Sequence, residues 1–218
     1  MKILALTDIH GSFGRAAEII NKESADVTVI GGDLTTVGSV KEAEEAVRQF
    51  QQLSRHVLCV AGNMDLPQHD ELFVRLGVSL NGRGIVVDGV GFFGVSAAPF
   101  SPLHTPYEIS EEEISRYCTS GYEEVKRASV KIFVPHAPPF GTKVDIVHSG
   151  IHVGSMAVRE FIEYHEPEVV ICGHIHEARG QDILGKSKVV NCGPATKGCY
   201  AIVETRPNIK ITNLQFHR

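Results

Sequence analysis

The sequence has no apolar run long enough to cross a membrane and no excess of basic residues. A membrane-spanning helix needs roughly 18 or more consecutive apolar residues, and no window of the 218-residue chain approaches that length. The first residues run directly into Asp8, a pattern from which we expect no signal peptide. The formal net charge of −5 argues against a broad basic surface for an extended nucleic acid. The composition therefore predicts a cytoplasmic protein with no membrane partner.

Paired cysteines, internal repeats and flexible linkers are also missing. The five cysteines are odd in number and contain no C-x-x-C pair, which is typical of buried, reduced thiols. Hydrophobic residues make up 43% of the chain and charged residues 22%, values that are ordinary for a globular protein. With this length, residues 1–218 are predicted to form a single domain.

Strands and helices alternate in the first part of the chain. Apolar, β-branched strands are predicted at residues 2–7, 27–30 and 56–60. Ser12 is predicted to cap the first intervening helix, and Ser39 with Glu42 forms a capping box for the second. This alternation favours a parallel sheet with right-handed crossovers.

The pattern becomes mixed after residue 78. Ser110 and Glu113 predict a second capping box, for a helix that Gly121 is expected to interrupt, and Ser155 is predicted to cap a later helix. Antiparallel pairing is expected among the last four strands, so the whole chain predicts two facing sheets, part parallel and part antiparallel, with helices outside. The other predicted segments are short strands in 79–96, a loop at 97–109, a strand at 130–134, a loop at 137–152 and strands at Val169–Cys172, 181–184, 187–191, 199–204 and 209–214.

Five short patches that follow strand-like segments contain seven residues able to bind metal ions. Taken singly, each patch has an ordinary explanation, such as a turn, a capped loop or a hydrogen-bonded histidine. Taken together they indicate one site, because neighbouring strand ends converge at one edge of an α/β sheet. The seven residues are Asp8, His10, Asp33, Asn63, His136, His174 and His176.

The donor types indicate which metals and which chemistry to expect. Carboxylate and imidazole ligands suit Mn, Fe, Co, Ni or Zn better than Mg or Ca. The lack of thiolate ligands argues against a closed structural zinc site. Seven donors are more than one ion needs, and two divalent ions that share a ligand are the usual device for hydrolysing phosphate esters.

The order Asp-x-His, Gly-Asp, Gly-Asn-x-Asp, His, Gly-His-x-His resembles that of the calcineurin-like metallophosphoesterases. The resemblance implies a four-layer α/β/β/α sandwich of two mixed sheets with flanking helices. It also implies that a metal-bridging hydroxide hydrolyses a phosphomonoester or a small phosphodiester, with Asp33 and Asn63 as catalytic residues. Each ligand histidine is expected to have an outer hydrogen bond that fixes its tautomer. In the implied ligand sets, Asp8, His10 and His176 hold one ion, Asn63, His136 and His174 hold the other, and Asp33 bridges the two.

One position departs from the family pattern. The family commonly has Gly-Asn-His followed by Asp or Glu, whereas this chain has Met64 before Asp65. The family's histidine helps to protonate the leaving group, which is worth ~10²- to 10⁴-fold in rate, and methionine cannot transfer a proton. Asp65, which would orient that histidine, is expected here only to cap the following helix.

Two questions stay open at the level of sequence. A loop histidine at 104, 148 or 152 is a candidate replacement for the acid, although each also fits a solvated surface position. The missing acid also leaves a second hypothesis: a metal-bearing scaffold of the same fold that binds protein partners and hydrolyses little. No motif identifies the substrate beyond a small phosphate ester, and the sequence leaves room for a protein partner or a homo-oligomer.

Overall fold

The fold is built from strands joined largely by helices and long loops. A computed structural model describes residues 1–217 of the chain. The strands are β1 (Lys2–Leu6), β2 (Val27–Gly31), β3 (Val57–Val60), β4 (Gly84–Val87), β5 (Val90–Val95), β6 (Ala98–Pro99), β7 (Glu108–Ile109), β8 (Val130–Pro135), β9 (Val169–Cys172), β10 (Gly180–Leu184), β11 (Ser187–Asn191), β12 (Cys199–Glu204) and β13 (Lys210–Gln215). The helices are α1 (Phe13–Glu23), α2 (Val40–Leu53), α3 (Gln68–Arg75), α4 (Glu111–Val125) and α5 (Met156–His165).

Two mixed sheets contain most of these strands. The first has the order β13-β12-β1-β2-β3, and the second has the order β10-β11-β9-β8-β5-β4. The predicted parallel pairing of β1, β2 and β3 is confirmed. Antiparallel pairing of the last four strands is correct for β10 with β11 and for β12 with β13. It is wrong for the other side of β11, which pairs parallel with β9 and so extends the parallel centre of the second sheet.

Three clusters of buried apolar side chains fill the spaces between the layers of the structure. One lies between the sheets and joins side chains such as Val29 of β2 and Val134 of β8. A second packs α1, α2 and α3 on the outer face of the first sheet, and a third packs α4 and α5 on the outer face of the second. The predicted four-layer α/β/β/α sandwich is therefore confirmed. Among residues 1–217, no helix is both long and apolar enough to span a bilayer.

Serine side chains cap the starts of three of the five helices within residues 1–217, namely α2, α4 and α5. Ser110 and Glu113 form the predicted reciprocal capping box, while Ser39 and Ser155 each accept one bond from the first turn of α2 and α5. The box predicted for Ser39 and Glu42 therefore forms only in part, through the bond from the Glu42 N–H to Ser39. Ser12 precedes α1 but caps nothing with its side chain, so that prediction was wrong. Gly121 does not interrupt α4. A Cβ at this position would come within 2.9 Å of the Arg83 carbonyl oxygen, so the glycine lets the helix pack closely on the chain before β4.

Candidate metal centre

The seven predicted site residues follow the carboxyl ends of five parallel strands. Asp8 and His10 follow β1, and the next two strands of the first sheet, β2 and β3, lead to Asp33 and Asn63. The second sheet contributes the other three, because His136 follows β8 and the pair His174 and His176 follows β9. The site therefore lies at one end of the sandwich, where both sheets present loops.

Asp33 lies between histidines from the two sheets. Its Oδ2 atom is 3.6 Å from Nε2 of His10 and 3.5 Å from Nε2 of His136. Its other oxygen accepts a hydrogen bond of 2.7 Å from the backbone N–H of Met64. One carboxylate oxygen is thus held by the backbone, while the other faces imidazoles on both sides.

The donors of Asp8, His10 and His176 form one half of the centre. Each residue has a donor atom within 4.8 Å of those of the other two. His176 Nε2 lies 3.3 Å from Asp8 Oδ1 and 3.4 Å from His10 Nε2. The backbone N–H of His174 also donates to Asp8, which fixes the buried carboxylate.

Asn63 lies at the other half, beside His136 and His174. Its Oδ1 atom is 3.0 Å from His136 Nε2 and 2.8 Å from His174 Nδ1. Asp8, Asp33 and His136 also place donor atoms within 4.8 Å of one another. Asp8 is therefore close to both halves, and the two carboxylates together lie at the middle of the cluster.

Outer hydrogen bonds orient two of the four imidazoles. His136 Nδ1 donates to the carbonyl of Gly31 at 2.9 Å, which turns Nε2 toward the centre. His10 Nδ1 lies 2.9 Å from Thr36 Oγ1. Within residues 1–217, His174 and His176 have no such outer partner, so the expectation of one for every ligand histidine holds only in part.

Backbone strain is concentrated at this centre. Asp8, His10, Asp33 and His174 have φ values of 55°, 45°, 51° and 65°. These left-handed conformations are disfavoured for side chains with a Cβ, and such strain clusters at functional sites where the surroundings impose it. The hydrogen bonds Asp8 N to Gly32 O and His10 N to Asp33 O tie two of the strained turns together.

Burial and mutual charge shift the acid–base properties of the cluster. Burial alone would raise the pKa of Asp8, but the hydrogen bond from His176 and the charge of His136 outweigh it and lower that pKa to about 2. Burial would lower the pKa of His136, yet the adjacent Asp33 carboxylate raises it to about 9. His174 goes the other way, because burial and its neighbour His136 lower its pKa to about 4. At neutral pH and without metal, His136 is therefore a cationic imidazolium with both ring nitrogens protonated, whereas His174 is a neutral imidazole.

Asp65 has a larger role than capping the following helix, so that prediction was wrong. Its Oδ2 accepts from the N–H groups of Leu34 and Gly62, and its Oδ1 accepts from the N–H and the hydroxyl of Thr35. Helix α3 begins later, behind Pro67, with no side-chain cap. Asp65 instead joins the loop that carries Asp33 to the loop that carries Asn63. The sequence holds no local signal for this role, because most of the donors lie about 30 residues away along the chain.

Gly62 makes the close approach of those two loops feasible. A Cβ at this position would collide with the carboxylate and the backbone N–H of Asp33. The glycine before Asn63 is therefore a steric requirement of the centre, and any larger residue would displace Asp33.

The three candidate replacement acids lie apart from the cluster. His152 Nδ1 is bound to the buried Asp145 carboxylate at 2.7 Å, with its ring beside Phe140. His148 offers only its backbone N–H, to Glu177, and His104 lies on an exposed turn. In the part of the chain that the structure describes, no hydrogen bond or ion pair joins these three side chains to the seven site residues.

Comparisons with known proteins agree with the fold and indicate the family. The family model for calcineurin-like phosphoesterases matches residues 1–178. The uncharacterized protein MJ1162 of Methanocaldococcus jannaschii is 33% identical over 217 residues, which cover 97% of this chain and 95% of that protein. Among solved structures, TT1561 of Thermus thermophilus has a TM-score of 0.75 at 20% identity over 98% of both chains. The 5′-nucleotidase of Candida albicans has a TM-score of 0.61 at 15% identity, over 99% of this chain and 51% of that one.

The fold and the centre thus define a phosphoesterase-type hydrolase whose class uses divalent metal ions. The match over residues 1–178 then gives the family: the chain belongs to the calcineurin-like phosphoesterases.

Proposed function

We propose that this chain is a dinuclear metal-dependent phosphoesterase that hydrolyses a phosphomonoester or a small phosphodiester. One observation carries the proposal: donors from five strand ends meet around two buried carboxylates, with neighbouring donor atoms 2.8–3.6 Å apart. In the proposed ligand sets, Asp8, His10 and His176 hold one ion, Asn63, His136 and His174 hold the other, and Asp33 bridges the two.

The charge of the cluster fits bound cations. Asp8 and Asp33 are almost fully buried, and two buried carboxylates at close range are costly without positive charge nearby. Within residues 1–217, histidines alone form ion pairs with these two carboxylates, and no lysine or arginine does so. The imidazole and carboxylate donors suit Mn, Fe, Co, Ni or Zn.

The protein's own groups have distinct tasks in this proposal. Two divalent cations, when bound, supply Lewis acidity and lower the pKa of water toward ~7. Asn63 directs its carbonyl oxygen at His136 and His174, so its amide N–H groups are free to donate to a phosphate oxygen. The Gly31 carbonyl holds the His136 ring in the orientation that a ligand needs. The Met64 N–H holds one oxygen of Asp33, which leaves the other for metal.

The decisive experiment combines metal removal with substitution of Asp33. Hydrolysis of 4-nitrophenyl phosphate and bis(4-nitrophenyl) phosphate is expected to disappear on chelation and to return with Mn. Asp33→Asn should lower bound metal and reduce turnover by about 10³-fold or more, since several kcal/mol of charge stabilisation are lost. Asp26→Asn is the matched control, because Asp26 is exposed just before β2, at the end of that strand opposite Asp33. Full activity of Asp33→Asn would refute the bridging role.

Met64 favours a second candidate function. A chain that binds metal but lacks the leaving-group acid would suit a scaffold that binds protein partners with little catalysis. In the same assay, metal that stays bound without turnover of either ester, across Mn, Fe, Co, Ni and Zn, would select the scaffold.

The five cysteines are free and buried, which supports a reducing, cytoplasmic location for either function.

A further inference from the structure

A cavity of about 570 Å³ opens directly beside the candidate metal centre. Asn63 and His174 line it, so it is continuous with the place where a phosphate would bind. Two segments supply most of its wall: residues 97–109, where the short strands β6 and β7 interrupt the predicted loop, and residues 137–155. Its size lies within the usual range for small-molecule sites.

The wall of this cavity is largely apolar and unusually exposed. Phe100 and Leu103 of the first loop are 71% and 81% exposed, and Val153 of the second is 38% exposed. Val147 and Ile175 complete the apolar side. Large side chains held in water beside a polar centre indicate a surface that a ligand covers.

The polar groups that line the cavity are already engaged within the protein. The Glu108 carboxylate accepts from the N–H and the hydroxyl of both Ser101 and Thr105. Glu111 accepts from the Ser155 hydroxyl and from two N–H groups at the start of α5. Few donors and acceptors therefore remain to read a sugar or a base by hydrogen bonding.

The charge of the cavity argues against a second anionic group. Two carboxylates lie on its wall, and no lysine or arginine of residues 1–217 does. The hydrogen bonds from Thr105 and Ser101 outweigh burial and lower the pKa of Glu108 to about 2, so this group is ionised at neutral pH. A substrate with a further phosphate would meet repulsion there.

We propose that this cavity binds the organic group of the substrate, and that this group is apolar and uncharged, as in a phosphate ester of a phenol or of a hydrophobic alcohol. This inference rests on the proposed phosphoesterase function and specifies its substrate class. Hydrolysis adds the oxygen of water to phosphorus, breaks the bond to the ester oxygen and releases the organic group as its phenol or alcohol, with one proton of that water.

The test measures binding separately from turnover. Calorimetric titration of the Mn-loaded protein compares methylphosphonate, phenylphosphonate and 1-naphthylphosphonate, which share the anionic group and differ in apolar area. Affinity should rise by about 10-fold at each step, as expected when a ring enters an apolar pocket. A nucleoside 5′-diphosphate should bind more weakly than phenylphosphonate.

A double variant and a control variant test whether the gain in affinity arises in this cavity. Phe100→Ser and Leu103→Ser, combined, should remove most of the gain from the rings and change the affinity for methylphosphonate less than about twofold. Ile183→Ser is the matched control, because Ile183 is 69% exposed on β10 and lies outside this cavity. Equal affinities along the series, a gain that survives in the double variant, or tighter binding of the diphosphate would each overturn the proposal.

Turnover of 4-nitrophenyl phosphate and of bis(4-nitrophenyl) phosphate is recorded on the same samples. A graded affinity without turnover of either ester supports the cavity as the site for an apolar group and overturns the phosphoesterase function. Turnover of an ester without a graded affinity supports the phosphoesterase function and overturns the assignment of the cavity. If neither ester is hydrolysed and no phosphonate binds, both are overturned.

Discussion

Replacing Asp65 by Asn should weaken both the fold and the metal centre. The buried carboxylate accepts four hydrogen bonds, at 2.8–3.0 Å, from the two loops that carry Asp33 and Asn63. Asparagine has one carbonyl oxygen, so in its better orientation the amide NH₂ still faces the backbone N–H of Thr35. A buried donor without an acceptor costs about 1–3 kcal/mol, and each remaining bond changes from a charged to a neutral acceptor at about 1 kcal/mol. The expected loss of unfolding free energy is ~4 kcal/mol.

Thermal unfolding and manganese titration would measure the two effects. A loss of ~4 kcal/mol in a domain of this size corresponds to a Tm about 10 °C lower. Displacement of the two loops should weaken metal binding by about 10- to 100-fold, as for other groups that hold ligands in place. Asp26→Asn is again the control, since this exposed carboxylate accepts a single bond from the backbone of Lys2.

The dependence on pH gives an independent check on Asp65. Burial would raise its pKa, but the His69 ring, whose Nδ1 lies 3.4 Å from Asp65 Oδ1, and the hydrogen bonds from Gly62 and Thr35 outweigh burial and lower it. A lowered pKa contributes stability above the unfolded value of roughly 4, and this contribution is lost as the pH falls through the folded pKa. The difference between wild type and Asp65→Asn should thus stay constant from pH 7 to about 5 and shrink in stronger acid.

A milder variant keeps the reasoning testable if Asp65→Asn does not fold. Thr35→Val removes only the hydroxyl that donates to Asp65 at 2.9 Å and to which Gly38 donates at 3.2 Å. It should cost about 1 kcal/mol and lower the Tm by about 2–4 °C. The account of Asp65 is refuted if Asp65→Asn melts within about 2 °C of wild type and binds manganese with unchanged affinity.

Two further predictions concern the centre itself. Met64→His should raise kcat/KM for alkyl phosphates by about 100-fold. This is the low end of the range for general-acid catalysis, because the oxygens of Asp65 are already occupied and cannot orient the new ring. The kcat/KM for 4-nitrophenyl esters should stay almost unchanged. An equal gain on both ester types, or the same gain in Met64→Gln, would contradict an acid role. Manganese affinity should rise about 10-fold per pH unit between pH 7 and 9, because His136 with its pKa of about 9 must lose one proton to bind metal. Calorimetry that shows a constant affinity over this range would contradict the required proton release.

Periodicity and capping chemistry were sufficient to predict much of the fold. The strands that lead to the site were recognisable from short β-branched runs, and Ser110 and Ser155 mark helix starts by local hydrogen bonds. Sheet order was less accessible, because pairing depends on distant residues. The insertion of β12 between β13 and β1, and the parallel pairing of β11 with β9, have no local signature.

The site shows the same division between local and distant causes. Strand-end donors such as Asp33 and His136 could be assigned to one centre, because parallel strands present their carboxyl ends together. The role of Asp65 could not be assigned from the sequence, since most of its hydrogen-bond partners come from another loop. The apolar cavity had an unused signal, namely Phe100 and Leu103 in a loop with several prolines, where large apolar side chains have no helix or sheet to pack against.

The missing acid and the apolar cavity lead to the same group of substrates. In this chain both oxygens of Asp65 are saturated by backbone and hydroxyl donors, so restoring a histidine at Met64 would not by itself restore an oriented acid. An alkoxide is a poor leaving group without a proton, whereas a phenol has a pKa near ~10 and departs far more readily as its anion. An aryl ester needs little help from an acid and carries an apolar, uncharged ring that fits beside Phe100 and Leu103. Among the esters that the proposed centre would accept, aryl phosphates should therefore have the highest kcat/KM. A higher kcat/KM for alkyl esters would contradict the conclusion that the missing acid and the apolar cavity select the same substrates.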